Sequence, residues 1–378
     1  MKDWLIVTGD FTRQGGMDRA NYALADYLAR QGRGVHLVAH RAAEDLQERS
    51  GVRFRRVSRP LGSNLLGAAG LDRAGRKQAQ AVTARAGRVL VNGGNCRWFD
   101  LNWVHYVHAA YTPQAEGSLF RRMKGARAHL KALAAERAVV PKARLVFCNS
   151  RKTQRDVMER LKVAEERTRV VYYGTEPETF FPAEASEREA ARKDLGWDAG
   201  QPVAVFVGAL GDRRKGFDVL LEAWNSLCKE RNWDVQLAVA GAGAESAGWG
   251  RRLRDAGLHG RVTLLGFRTD IPRILAAADV LVHPARYEAY GLGVHEALCR
   301  GVPVIVSAHA GVAEKMAGAD EMLLPDAESV VELAARLKAW RATPEKWTAA
   351  ARKQSLHLRV RTWDHMAEEM VSLAEEIN

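Results

Sequence analysis

Apolar residues recur along the chain in runs of four or five, each closed by glycine, proline or a polar turn. Runs of this length, alternating with helix-length segments, predict strands buried on both faces of a parallel sheet. The first half places such runs at 5–8, 35–39, 52–57, 88–91, 103–107, 145–148 and 169–172. The second half places them at 203–207, 236–240, 262–265, 280–283 and 304–306. Helical spacing fills the gaps. Ala20, Leu24 and Leu28 follow the first strand, and Leu220, Leu221 and Trp224 follow the strand at 203–207. Asn149-Ser150 predicts a capped helix start near Lys152, and Gly301 with Pro303 stops a helix over 292–299. Residues 61–86 read as helical in part, and the polar stretch 183–200 as a helix-forming linker. The pattern predicts two doubly wound α/β domains, 1–182 and 183–355, with a closing helical segment at 356–378.

The chemistry collects in loops after strands, where an open α/β sheet binds ligands. Gly15-Gly16 follows the first strand, and a paired glycine lets backbone approach a ligand closely. A dinucleotide fingerprint needs G-x-G-x-x-G, which this loop lacks, so NAD binding is not expected. After 203–207 comes Gly208, then Arg213, Arg214 and Lys215, three cations suited to a pyrophosphate. After 280–283 the chain reads Arg286-Tyr287-Glu288-Ala289-Tyr290-Gly291-Leu292-Gly293, with Glu296 one turn into the next helix. The amides of Gly291, Leu292 and Gly293 sit at that helix's positive end, which favours phosphate. By themselves, two glutamates and a basic turn are ordinary solvated residues.

A chain of 378 residues with 47% hydrophobic content suffices for two cores. No apolar run approaches the ~20 residues of a membrane span. Met1-Lys2-Asp3 leads directly into the first strand, which predicts no signal peptide and a cytoplasmic protein. Cys96, Cys148, Cys228 and Cys299 are scattered, as expected of reduced thiols. The net charge of +12 is unevenly placed: residues 1–182 hold 32 Lys and Arg against 17 Asp and Glu, and the remainder 25 against 28. Arg121, Arg122, Lys124, Arg127, Lys131 and Arg137 surround Leu119, Phe120, Met123, Leu130 and Leu133 in a basic amphipathic segment at 119–138. Such a segment suits either an anionic bilayer or a solvated helix face.

Glu288-x7-Glu296, Ala297-Leu298 and Arg300-Gly301-Val302-Pro303-Val304 together resemble the donor-site signature of glycosyltransferase family 4. Those enzymes have the GT-B fold, two Rossmann-like domains facing across a cleft, and the resemblance runs through nearly the whole chain. It implies a retaining transferase that moves a sugar from a nucleoside diphosphate sugar to an acceptor; the eleven histidines lack ligand spacing and no Asp-x-Asp occurs, so neither a metal nor a cofactor is expected. It assigns donor contacts to Gly15, Gly16, Gly208, Arg213, Arg214, Lys215, Gly266, Phe267, Arg268, Glu288, Ala289, Tyr290, Gly291, Leu292, Gly293 and Glu296. Glu288 would hold sugar hydroxyls, Glu296 the ribose and Lys215 the phosphate; His108, at a strand–loop junction, fits the family's cleft histidine better than His105. Catalytic roles fall to His108, Glu288 and Lys215. Where relatives carry arginine after the glycine matching Gly208, this chain has Ala209, with Arg213 or Arg214 as the substitute. Tyr173 and Glu176 replace the usual asparagine and aspartate of the family's interdomain element. The basic excess of residues 1–182 points to a glycan or a lipid-linked or lipopolysaccharide-type acceptor, met by a peripheral protein on the inner membrane face. The rivals are a GT-B epimerase or phosphorylase, or a basic nucleic-acid binder. The last lacks the aromatic–basic interleaving of single-strand binders.

Overall fold

The computed structural model describes residues 2–114, 119–211, 213–243 and 246–377. The chain divides into two compact units, Met1–Thr112 with Lys124–Gly174 and Arg361–Asn378, and Thr175–Val360 with Pro113–Met123.

The first unit holds a seven-stranded parallel sheet. Its order is Val52–Arg56, Val35–Ala39, Trp4–Val7, Arg88–Asn92, Leu101–Val104, Leu145–Cys148 and Thr168–Val170. The order reverses beside the first strand, as in a Rossmann sheet. The run expected at 103–107 pairs instead as Leu101–Val104, in register with Leu145–Cys148. His105 to Val107 therefore leave the ladder as a loop. Asp100 explains the shift: it accepts from the amide of Val89, and its own carbonyl accepts from Arg144, so pairing starts two residues early. The last strand likewise ends at Val170 rather than Tyr172. Ser150 caps Arg151–Leu161 by accepting from the amide of Thr153 at 2.9 Å. The C-terminal helix Trp363–Glu376 packs on Gly16–Arg30, with Arg30–Asp364 at 2.5 Å and Arg33–Glu375 at 2.6 Å.

The second unit holds a six-stranded parallel sheet ordered Val262–Gly266, Gln236–Ala240, Val203–Val207, Val280–His283, Val304–Ser307 and Leu323–Leu324. Its order reverses between Val203–Val207 and Val280–His283. The helix-forming linker expected at 183–200 contains the helix Ala185–Leu195, which packs on Ile271–Ala277. Arg188 and Arg192 fix it by pairing with Asp279 at 2.5 and 2.6 Å. The division falls at residue 174 rather than 182 because Phe180 is buried in the second unit's core. It returns at 361 rather than 356 because Arg359 donates to the carbonyl of Pro177.

Candidate functional site

The two strands flanking the reversal in the second sheet send out the loops that build the site. After Val203–Val207 a 3-10 turn, Arg213–Lys215, precedes the helix Phe217–Leu227. After Val280–His283 a loop carries Glu288 to the helix Leu292–Cys299. Loops at such a reversal diverge and leave a ligand crevice.

The centre is the Glu288 carboxylate, 12% exposed. Lys215 forms an ion pair with it, His283 Nε2 lies at 2.9 Å, and Arg214 at 3.9 Å. Burial alone would raise the Glu288 carboxyl; Lys215, the His283 hydrogen bond and Arg214 outweigh it and hold the group well below the usual carboxylate range. Burial pushes His283 down, only partly offset by Glu288. The imidazole is thus neutral near pH 7, and Nε2 carries the proton it donates, because an ionised carboxylate only accepts. The result is a fixed anion between two cations and a neutral donor, poised beside a helix N-terminus.

A second network locks the two loops together. Arg286 grips Asp218 through two bonds at 2.8 and 2.9 Å and donates to the carbonyl of Arg213 at 2.6 Å. Arg213 also binds Asp218, at 2.7 Å. Arg214 donates to the carbonyl of Tyr287 at 3.1 Å. Gly216 lies under this crossing with φ of +72°, and an added Cβ would stand 1.8 Å from the carbonyl oxygen of Pro284. Only glycine fits there. From the other side, the amides of Gly311 and Val312 donate to the carbonyls of Glu288 and Tyr290.

Gly291, with φ of +107°, starts the helix Leu292–Cys299; its added Cβ would sit 3.3 Å from Glu288 Cγ. The first amides of a helix lack intrahelical acceptors. Nothing among the described residues comes within 4 Å of a Cβ built on Gly293, so the flank of that terminus is open. Glu296 is buried within the same helix.

The profile described as "Glycosyl transferases group 1" matches residues 201–340, and that described as "Glycosyltransferase Family 4" matches residues 14–179. Together they take in both units. The chain belongs to glycosyltransferase family 4. It is 28% identical over 255 residues to the D-inositol 3-phosphate glycosyltransferase of Corynebacterium aurimucosum, spanning 65% of this chain and 60% of that protein. Among solved structures it resembles WaaG, a glycosyltransferase involved in lipopolysaccharide biosynthesis, with a TM-score of 0.78 at 22% identity over 98% and 99% of the two chains. It also resembles the Anabaena protein HepE in complex with UDP-glucose, with a TM-score of 0.72 at 19% identity over the whole of both chains. The fold is thus GT-B, with two Rossmann-like domains.

The expected donor residues fall in three groups. Arg213, Arg214, Lys215, Glu288, Ala289, Tyr290, Gly291, Leu292, Gly293 and Glu296 lie in or against the two loops just described, with Gly208 behind Lys215, its added Cβ 3.5 Å from Lys215 Cγ. Of the candidate arginines, Arg213 is held by Asp218, whereas Arg214 stands beside Lys215 and Glu288. Gly266, Phe267 and Arg268 follow the neighbouring strand; Phe267 is 70% exposed, and Arg268 pairs with Asp270 at 2.5 Å. Gly15 and Gly16 belong to the first unit, at the start of the helix Gly16–Arg30.

The two candidate cleft histidines, both in the first unit, separate clearly. His105 is buried, bonded through Nδ1 to the hydroxyl of Tyr173 at 2.5 Å, and burial lowers it to about 3. It serves a buried chain that continues through Asn149 to Thr153. Tyr173 is thereby a packing residue, with its ring 5.7 Å from that of Trp363. The His108 side chain is 39% exposed. Buried Glu136 accepts from the amides of His108 and Ala109 at 2.8 and 3.0 Å and fixes the turn that presents the imidazole.

Sequence reasoning missed His283, Asp218 and Arg286. A polar side chain ending an apolar strand was the available signal for His283. Asp218 and Arg286 lie 68 residues apart, and no local pattern joins them.

Proposed function

We propose that this protein transfers a sugar, with retention, from a nucleoside diphosphate sugar held by the second unit to a glycan or lipid-linked acceptor held mainly by the first. The observation that carries this reading is the Lys215–Glu288–His283 network beside the open N-terminus of Leu292–Cys299. Lys215, Arg214 and the helix amides would take up the charge that develops on the leaving diphosphate. Glu288 would accept from hydroxyls of the transferred sugar, and Glu296 from the ribose. The acceptor hydroxyl attacks the anomeric carbon as its bond to the diphosphate oxygen breaks. Its proton passes to that oxygen, giving a nucleoside diphosphate and a glycoside. Same-face attack within an ion pair supplies retention without a covalent nucleophile. Structural kinship to WaaG and to HepE with UDP-glucose supports a nucleotide-sugar donor and a glycan product.

The diphosphate is neutralised by side chains and amides, so the reaction is expected to proceed without a metal. Among the described residues, no group of three or more His, Cys, Asp or Glu is arranged to hold an ion. The test measures nucleotide affinity and transfer, with and without EDTA. Glu296→Ala should weaken nucleotide binding by about 1.5–3 kcal/mol, and Glu288→Ala should mainly lower turnover. Unchanged affinity and turnover in both variants overturns the donor assignment. Activity lost in EDTA and restored by Mg²⁺ overturns metal independence.

The helix Leu119–Val139 gives the membrane reading its geometry. Leu119, Met123 and Leu130 share one helical face and are all exposed, flanked by exposed Arg122, Lys124, Arg127 and Lys131. The side chains of Phe120 and Arg121, also expected in this patch, lie outside the described residues. No helix among the described residues is long and apolar enough to cross a membrane. Surface docking on an anionic bilayer fits this pattern, each cation adding about 1 kcal/mol. Co-sedimentation with anionic vesicles should weaken with salt. It should be lost when those four cations are reversed. Equal binding to neutral vesicles retires docking and leaves the transferase reading intact.

A further inference from the structure

Three neighbouring strands of the first sheet each deliver one charged residue from their C-terminal ends. Trp4–Val7 leads to Asp10, Val35–Ala39 to Arg41, and Val52–Arg56 to Arg59. The helix Gly16–Arg30 adds Asp18 in its first turn. This is the ligand side of an open parallel sheet.

Asp10 is 5% exposed. Its Oδ2 accepts from Arg41 at 2.6 and 3.2 Å and from Arg59 at 3.5 Å. Its Oδ1 is equally buried and has no hydrogen-bond partner among the described residues. Buried polar atoms are nearly always satisfied, so an orphaned carboxylate oxygen calls for an occupant. Half-buried Asp18 stands near it. Burial and the charge of Asp10 push its carboxyl up to about 6, against the pull of Arg41 and Arg59. The fold thus holds a second carboxylate at a cost to its own stability, which is a mark of functional placement.

The charge balance narrows the ligand. Two aspartates and two arginines sum to zero, so neither a free anion nor a metal ion is favoured. Carboxylate oxygens accept hydrogen bonds and donate none. What satisfies both is a neutral group rich in O–H donors. We propose that Asp10 and Asp18, flanked by Arg41 and Arg59, form a subsite for adjacent hydroxyls of a sugar or cyclitol acceptor. The assignment rests on the transferase reading, to which it adds the part of the acceptor that is recognised.

The test uses the full chain, with myo-inositol and methyl α-mannopyranoside as probes in saturation-transfer NMR, and the thermal shift given by UDP, GDP and ADP as a control. At least one polyol should bind the wild type. Asp18→Asn and Asp10→Asn should each weaken it on the order of tenfold while leaving the nucleotide shift unchanged. Asp18→Asn should also raise Tm at pH 7.5 and lose that gain near pH 4. A carboxyl whose folded value is raised stabilises only below its unfolded value, and that stability is lost as pH rises through 6. A merely structural Asp18 would lower Tm instead. Should Asp10→Asn fail to fold, Asp18→Asn carries the test alone. No polyol signal on the wild type, or equal signals on wild type and Asp18→Asn, overturns the subsite. Silence from all three nucleotides on the wild type overturns the transferase reading, whatever the polyols do.

Discussion

Lys215→Met is expected to lower turnover by about 10²–10³-fold, the usual effect of removing one preorganised donor from developing transition-state charge. The same change strips Glu288 of its nearest cation. Both side chains are largely buried, at 17% and 12% exposure, so the charge left behind is poorly solvated. Breaking such a pair from one side costs about 3 kcal/mol. The Glu288 carboxyl should then titrate higher, since Lys215 is the largest of the influences holding it down. The double variant Lys215→Met/Glu288→Gln separates the two effects. It should recover most of the lost stability, because the unpaired charge is gone, and none of the turnover. Thermal melts and initial rates on the three proteins check this. Wild-type turnover in Lys215→Met removes the lysine from the chemistry, and a double variant no more stable than the single one removes the pair from the stability argument.

Gly216→Ala is expected to unfold the loop crossing without touching any charge. Its φ of +72° strains a residue bearing Cβ, and the new methyl would overlap the Pro284 carbonyl oxygen at 1.8 Å. Backbone cannot swing aside as a side chain would, so the loss should exceed about 3 kcal/mol. For a unit of this size that is roughly 6–12 °C in Tm. Donor binding should fall with it, since Arg213, Arg214 and Lys215 precede this glycine and Asp218 follows it. Gly293→Ala is the control: an added Cβ there meets nothing within 4 Å, so stability should hold. Equal melting temperatures for the two variants would show that the crossing yields more easily than its geometry implies.

The membrane reading and the hydroxyl subsite use different surfaces of the protein. The first depends on exposed cations and three leucine and methionine side chains along Leu119–Val139. The second depends on a neutral cluster at strand ends. Each is tested by a readout indifferent to the other.

Local physics wrote much of this protein into its sequence. Short apolar runs closed by glycine or proline mark most of the strands, because strands buried on both faces need continuous apolar side chains. The glycines and charged residues after 203–207 and 280–283 marked the loops proposed to hold the donor, because phosphate chemistry needs cations and open backbone. The family signature around Glu288 and Glu296 is likewise contiguous. What the sequence left open depended on residues far apart in the chain. The strand at Leu101–Val104 took its register from Asp100 bonding to Val89 and Arg144. The division at 174 followed from where Phe180 is buried. His105 and His108, three residues apart, were divided by the loop's geometry into a buried packing group and a presented one. Arg286 was drawn to Asp218, and Asp10 to Arg41 and Arg59, by charges that meet only when parallel strands bring their ends together. Periodicity reports which face of an element is buried; which distant partner covers that face is set by the packing of the whole sheet.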